Sequence, residues 1–149
     1  MEWMILPFKR YAEFSGRSRR MEYWMFALLN VIVMTVLMFL AFGAGGFANL
    51  ADPEAAEAGL GAMFGGLGLL LVIYALAVLI PSVAVTVRRL HDRDMSGWWY
   101  LGAILGSMIP VIGFLVSIAF LVLMALPGTR GPNRYGPDPK AAEALATTV

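Results

Sequence analysis

A chain of 149 residues, 60% hydrophobic and only 14% charged, with a mean hydropathy of +0.75, is long enough for one soluble domain but too apolar for an ordinary one. A formal net charge of +1 excludes an acidic tail, a disordered polyelectrolyte and a broadly basic nucleic-acid binder, each of which needs a large imbalance. The absence of cysteine excludes disulfides, thiolate metal sites and cysteine nucleophiles.

The charges fall into four clusters: Glu2 to Glu22, Asp52 to Glu57, Arg88 to Asp94, and Arg130 to Glu143. Three charge-free blocks lie between them. Ahead of the first block, Phe8, Tyr11 and Phe14 recur at i, i+3 and i+6, the spacing of a short helix lying in a membrane interface. Ser15-Gly16-Arg17 breaks that pattern, Ser18 is placed to cap the next helix, and Tyr23 and Trp24 suit the headgroup level. The run over about 24–46 is long enough, at ~1.5 Å per residue, to cross a ~30 Å hydrocarbon core. Preceded by eight charged residues, it reads as a retained anchor rather than a cleaved signal.

The second block predicts a span over about 64–87, with Pro81 expected to kink it. In the Arg88 to Trp99 loop, Arg88 and Asp92 are expected to pair at i, i+4 beside His91. Ser96 is expected to cap the next helix, and Trp98 and Trp99 to anchor it. The third block, 98–126, is too long for one upright span, and each arm is too short once it is broken near Pro110. Length alone allows one tilted helix or a hairpin. Gly61/Gly65 and Gly102/Gly106 have the spacing of close helix approach, and Gly102, Gly106, Gly113 and Ser117 are expected to pack one arm on the other. The Pro- and Gly-rich stretch 127–139 predicts consecutive turns with a defined path, and 141–149 a disordered tail.

Lys and Arg number five before the first span and none in the acidic loop after it. The positive-inside rule therefore places the amino terminus and the Arg88 loop in the cytoplasm, with the acidic loop outside. The basic tail follows them inside if the third block is a hairpin, which that rule favours. The expected architecture is all-α and polytopic. One membrane domain over 1–140 has three hydrophobic blocks making three or four transmembrane helices, preceded by the interfacial helix.

The ordered motifs Gly16 to Trp24, Arg88-Arg89-Leu90-His91-Asp92 with Ser96-Gly97-Trp98-Trp99, Ile109-Pro110 with Gly113, and Gly131 to Pro139 resemble the DUF 805 family of small bacterial inner-membrane proteins. The resemblance spans Tyr11 to Pro139. It implies a small polytopic protein of the cytoplasmic membrane and brings no activity, cofactor or catalytic residue.

The candidate working surface is a cytoplasmic polar cluster of Arg17, Arg19, Arg20, Glu22, Arg88, Arg89, His91, Asp92, Ser96, Trp98, Asn133, Arg134, Tyr135 and Asp138. Arg19 or Arg20, Asp92 and Arg134 are expected to meet there. Guanidinium groups at a membrane face suit anionic lipid headgroups or a partner protein, and nucleic acid is not an expected partner. The favoured reading is a non-catalytic membrane protein without metal or cofactor. An oligomeric pore or carrier, and a headgroup-acting enzyme using His91 and Asp92, are the alternatives. The spans carry no ionisable residue, which argues against ion-coupled transport.

Overall fold

The computed structural model describes residues 2–48 and 66–141, and among these the chain is all-helical. Its helices are α1 (Glu2–Lys9), α2 (Arg20–Ala48), α3 (Gly66–Asp92), α4 (Trp98–Ser107) and α5 (Ile112–Ala125). The acidic loop, the Gly61/Gly65 pair and the tail from position 142 lie outside the described residues. The chain divides into two compact units, one of Met1–Phe26 with Pro81–Val149 and the other of Ala27–Ile80.

Among the described residues two helices have the length and composition to cross a membrane. The spanning stretch of α2 is Arg20–Ala41 and that of α3 is Gly68–Asp92. Their apolar side chains point outward: Val31, Phe39, Leu76 and Leu79 are each more than half exposed, the reverse of a soluble helix. In the Ala27–Ile80 unit the Tyr74 hydroxyl donates to Asn30 Oδ1 at 2.9 Å, so two polar side chains satisfy each other on otherwise apolar helices. Pro81 is buried within α3 and does not end it.

The amino-terminal helix is displaced from the predicted stretch 8–14, since α1 is Glu2–Lys9. Past Lys9 the chain tightens into a turn, the Glu13 N–H donating to the Arg10 carbonyl at 3.2 Å. Arg88 Nη1 donates to the Arg10 carbonyl at 3.2 Å and also to the Glu13 carbonyl, while the Arg10 and Glu13 side chains pair with each other at 2.7 Å. Of the three aromatics, Phe8 packs edge-on against Phe26 at 5.2 Å, and Tyr11 and Phe14 are exposed.

The third block is two antiparallel arms. α4 has 10 residues and α5 has 14, about 15 and 21 Å, so neither reaches across a ~30 Å core. The connection is a γ-turn. Val111 has φ 67° and ψ −55°, and the Ile112 N–H donates to the Pro110 carbonyl at 2.8 Å. Gly113 N–H then reaches the Ile109 carbonyl at 2.7 Å. Gly113 is held so close to Ser107 that a Cβ there would overlap the Ser107 carbonyl, and a Cβ at Gly106 would press on Val116 at 3.3 Å. Tyr100 meets Phe120 further along, with ring centroids 5.8 Å apart. Gly102, expected at this seam, faces open space, so the small-residue contact rests on Gly106 and Gly113. The Ser107 and Ser117 hydroxyls donate to carbonyls of their own helices, Ile104 at 2.7 Å and Gly113 at 2.8 Å, leaving the arms outwardly apolar.

Candidate functional site

The polar site is built where α3 stops. Asp94 takes a left-handed backbone, φ 58°, while the Asp94 N–H bonds to the His91 carbonyl at 3.0 Å and the Met95 N–H to the Leu90 carbonyl at 3.0 Å. This is a Schellman ending with aspartate where glycine is usual. It leaves carbonyls at the helix end that need donors. The tail supplies them. Thr129 N–H and Oγ1 both donate to the Asp92 carbonyl, at 2.8 and 3.1 Å, and Asn133 Nδ2 donates to the His91 carbonyl at 2.9 Å.

Two buried ion clusters fix the amino-terminal segment to this end. Arg17 Nε donates to Asp92 Oδ1 at 3.0 Å, and its other nitrogens reach the carbonyls of Gly131 at 2.6 Å and Thr129 at 2.5 Å. Arg89 donates to Asp92 Oδ2, so both oxygens of one carboxylate serve guanidiniums buried to 1% exposure or less. Arg88 pairs separately with Glu22 at 2.9 Å. Asp92 therefore pairs at i, i−3, and not with Arg88 as its spacing suggested. Helical neighbours three and four residues back are both within reach of a carboxylate, and here Glu22 occupies Arg88. Ser18 is buried but does not cap α2: its N–H donates to the Arg88 carbonyl at 3.1 Å, and Oγ finds no partner among the described residues.

Arginines also close the return arm of the hairpin. The carbonyls of Met124 and Leu126 accept from Arg89, that of Ala125 from Arg20 at 3.3 Å and that of Pro127 from Arg93 at 2.6 Å. Four consecutive carbonyls at a helix C-terminus thus meet three cations, the sign that terminus favours. The hairpin consequently returns to the cluster, with the end of α5 held by arginines of α2, of α3 and of the loop after it.

Of the predicted meeting of Arg19 or Arg20, Asp92 and Arg134, both Arg19 and Arg20 border one cavity with Asp92, but the Asp92 carboxylate pairs with Arg17 and Arg89, and Arg134 lies elsewhere. Arg19 donates to the Pro139 carbonyl at 2.9 Å and lies over Trp3, while Arg134 pairs with Asp94 at 3.2 Å. Arg134 also covers Tyr135, whose ring stacks on His91 at 3.9 Å between centroids. His91 Nδ1 faces the Gly16 carbonyl at 3.2 Å and Asp92 is held by two arginines, so these chain neighbours form no dyad. In the tail, Asn133 and Gly136 exchange backbone bonds at 3.0 Å, and Asn133 Oδ1 accepts the Tyr135 N–H at 2.9 Å. Asp138 accepts from the Gly131 and Lys140 N–H groups, and the Lys140 bond, the largest effect, helps hold its carboxyl below the usual range. Ser96 Oγ receives the Trp98 N–H at a long 3.4 Å, one residue ahead of the N-cap Gly97. Ser96 and Trp98 line, with His91 and Phe14, a separate open groove beside α4.

Residues the sequence reading did not single out carry part of the site. Thr129 and Gly128 have no signature apart from their place in the turn-rich stretch, yet Gly128 sits where any Cβ would overlap the Asp92 carboxylate. The Arg10 and Glu13 carbonyls are equally unmarked, since main-chain acceptors leave no trace in a sequence.

Apolar helices of spanning length, outward-facing Leu, Val and Phe, and arginines gathered at the ends of helices are the features of a membrane protein, the class to which its relatives also belong. The family model described as "Protein of unknown function (DUF805)" matches residues 11–137, and the chain belongs to that family. It is 42% identical over 140 residues to the "Inner membrane protein YhaH" of Escherichia coli K12, covering 94% of this chain and 98% of that one. To the "Inner membrane protein YhaI" of the same strain it is 39% identical over 140 residues, covering 94% and 97%. No solved structure matches it.

Proposed function

We propose that the chain is a multi-pass protein of the bacterial inner membrane that acts without catalysis, its basic cytoplasmic face holding anionic lipid headgroups or a partner protein. In this reading α2 and α3 are the full crossings. The α4–α5 hairpin enters the membrane from the cytoplasmic face and returns to it, so the amino-terminal segment and the tail share that face. The short arms, the apolar tip and the arginines closing α5 support this, as do the names of the two relatives.

The observation that carries the reading is a charge excess in one unit. All eleven Lys and Arg residues, against seven of the ten acids, belong to the unit of Met1–Phe26 and Pro81–Val149. The buried pairs consume their own carboxylates and leave a surplus of cations at a face where each basic residue near an anionic leaflet contributes ~1 kcal/mol. Lipid analysis after mild detergent extraction tests this. Anionic phospholipids are expected to be enriched over zwitterionic ones relative to the bulk membrane. Retained lipid with the bulk composition would overturn the reading.

A further inference from the structure

Once internal pairing is accounted for, the surplus cations are not spread evenly. Arg20, Arg130 and Lys140, together with Arg19, which is already bonded to the Pro139 carbonyl, line one small, partly enclosed cavity of about 40 Å³ between the start of α2 and the tail. Two carboxylates, Asp92 and Asp138, also border it. Neither needs these cations: Asp92 gives both oxygens to Arg17 and Arg89, and Asp138 gives both to the N–H groups of Gly131 and Lys140. The side chains of Arg130 and Lys140 make no hydrogen bond or ion pair among the described residues, and Arg20 makes one long bond to a carbonyl. The backbone N–H groups of Gly128 and Arg130, at the cavity wall, likewise find no acceptor among the described residues.

Cationic side chains and main-chain N–H groups without acceptors, around a recess bordered by already satisfied acids, are the donor set of a phosphate group. We propose that this cavity is a phosphate-binding site and that Arg20, Arg130 and Lys140 contact the phosphate oxygens. The inference rests on the anionic-headgroup reading above and gives that reading its chemistry. Arg20, Arg130 and Lys140 are exposed at the mouth of this recess, whereas the same cations scattered over a surface would attract an anionic membrane only diffusely. A recess of this kind selects the phosphate itself, with a monoester dianion bound more tightly than a diester monoanion.

Native mass spectrometry of the full chain in detergent tests this, with phosphatidic acid, phosphatidylglycerol, phosphatidylcholine and inorganic phosphate as separate probes. The variants are R130Q/K140Q, whose altered side chains hold nothing in the fold, and K9Q, which removes an exposed cation outside the cavity. Wild type is expected to bind phosphatidic acid ahead of phosphatidylglycerol, and both ahead of phosphatidylcholine. R130Q/K140Q is expected to weaken phosphatidic acid by about 30-fold, from two basic contacts of ~1 kcal/mol each. K9Q is expected to stay within about threefold, the share of a more distant, screened charge. Inorganic phosphate bound by wild type and lost in R130Q/K140Q, with no phosphatidic acid bound, would also support the site and make its ligand a soluble phosphate. Anionic lipid bound equally by wild type and R130Q/K140Q would overturn the cavity while leaving the anionic face standing. Equal binding of all three lipids by wild type, with no phosphate bound, would overturn both.

Discussion

Asp92→Asn is expected to cost ~3–5 kcal/mol of stability, the range for removing one partner of a buried ion pair. The substitution keeps the shape of the side chain but removes the charge that Arg17 and Arg89 share, both of them buried, and turns one of the two acceptor oxygens into an NH2 donor facing a guanidinium. Two guanidiniums then remain out of water with no countercharge. Arg17 also holds the carbonyls of Thr129 and Gly131, and Arg89 those of Met124 and Leu126, so the tail and the return arm lose their anchors together. Asp94→Asn is the comparison: its pair with Arg134 is 46% and 61% exposed, where an ion pair is worth ~0–1 kcal/mol. Thermal unfolding in one detergent should therefore separate the two variants widely. Equal losses would mean that the buried cluster does not hold this end together.

Gly113→Ala is expected to lower stability by ~1–3 kcal/mol, as overpacking does when the obstacle cannot move aside. The added methyl overlaps the main-chain carbonyl of Ser107, on the opposite arm of the hairpin, and not a flexible side chain. Relief requires the arms to part, which disturbs the γ-turn at Val111 and the contact between Gly106 and Val116. Gly102→Ala lies in the same hairpin with nothing within 4 Å of its new methyl, and should be neutral or slightly stabilising, because alanine is the better helix former. Melting temperatures of the pair give the test. A Gly113→Ala protein as stable as Gly102→Ala would show that the arms are not closely packed there.

Much of the fold was legible because hydropathy and breaker residues act locally. The apolar runs follow from transfer free energy, and the interruption of the third block follows from Pro110 beside Gly113, which together permit the turn between Ser107 and Ile112. The turn-rich path of 127–139 was legible for the same reason, since proline and glycine restrict or release the backbone wherever they stand. The pairing of the charges was not. Arg17 finds Asp92 across 75 residues and the Gly131 carbonyl across 114, and no periodicity encodes such distances. Spacing within α3 pointed Asp92 to Arg88. The outcome was decided by Glu22, which arrives from another helix and takes Arg88 for itself. The amino-terminal helix was misplaced for a related reason: the segment after Lys9 is held by Arg88 from a distant helix, a contact that the local spacing of Phe8, Tyr11 and Phe14 does not encode.

That the amino-terminal segment and the tail share the cytoplasmic face, as proposed, is the condition on which both the returning hairpin and the anionic-lipid surface depend. Cysteine labelling measures it directly, since the chain has no native cysteine. With an impermeant maleimide applied to spheroplasts, Ala141→Cys should stay unreactive until the membrane is permeabilised, while Glu54→Cys in the acidic loop should react at once. Labelling of Ala141→Cys in sealed spheroplasts would place the tail outside, make the third block a full crossing, and contradict the account.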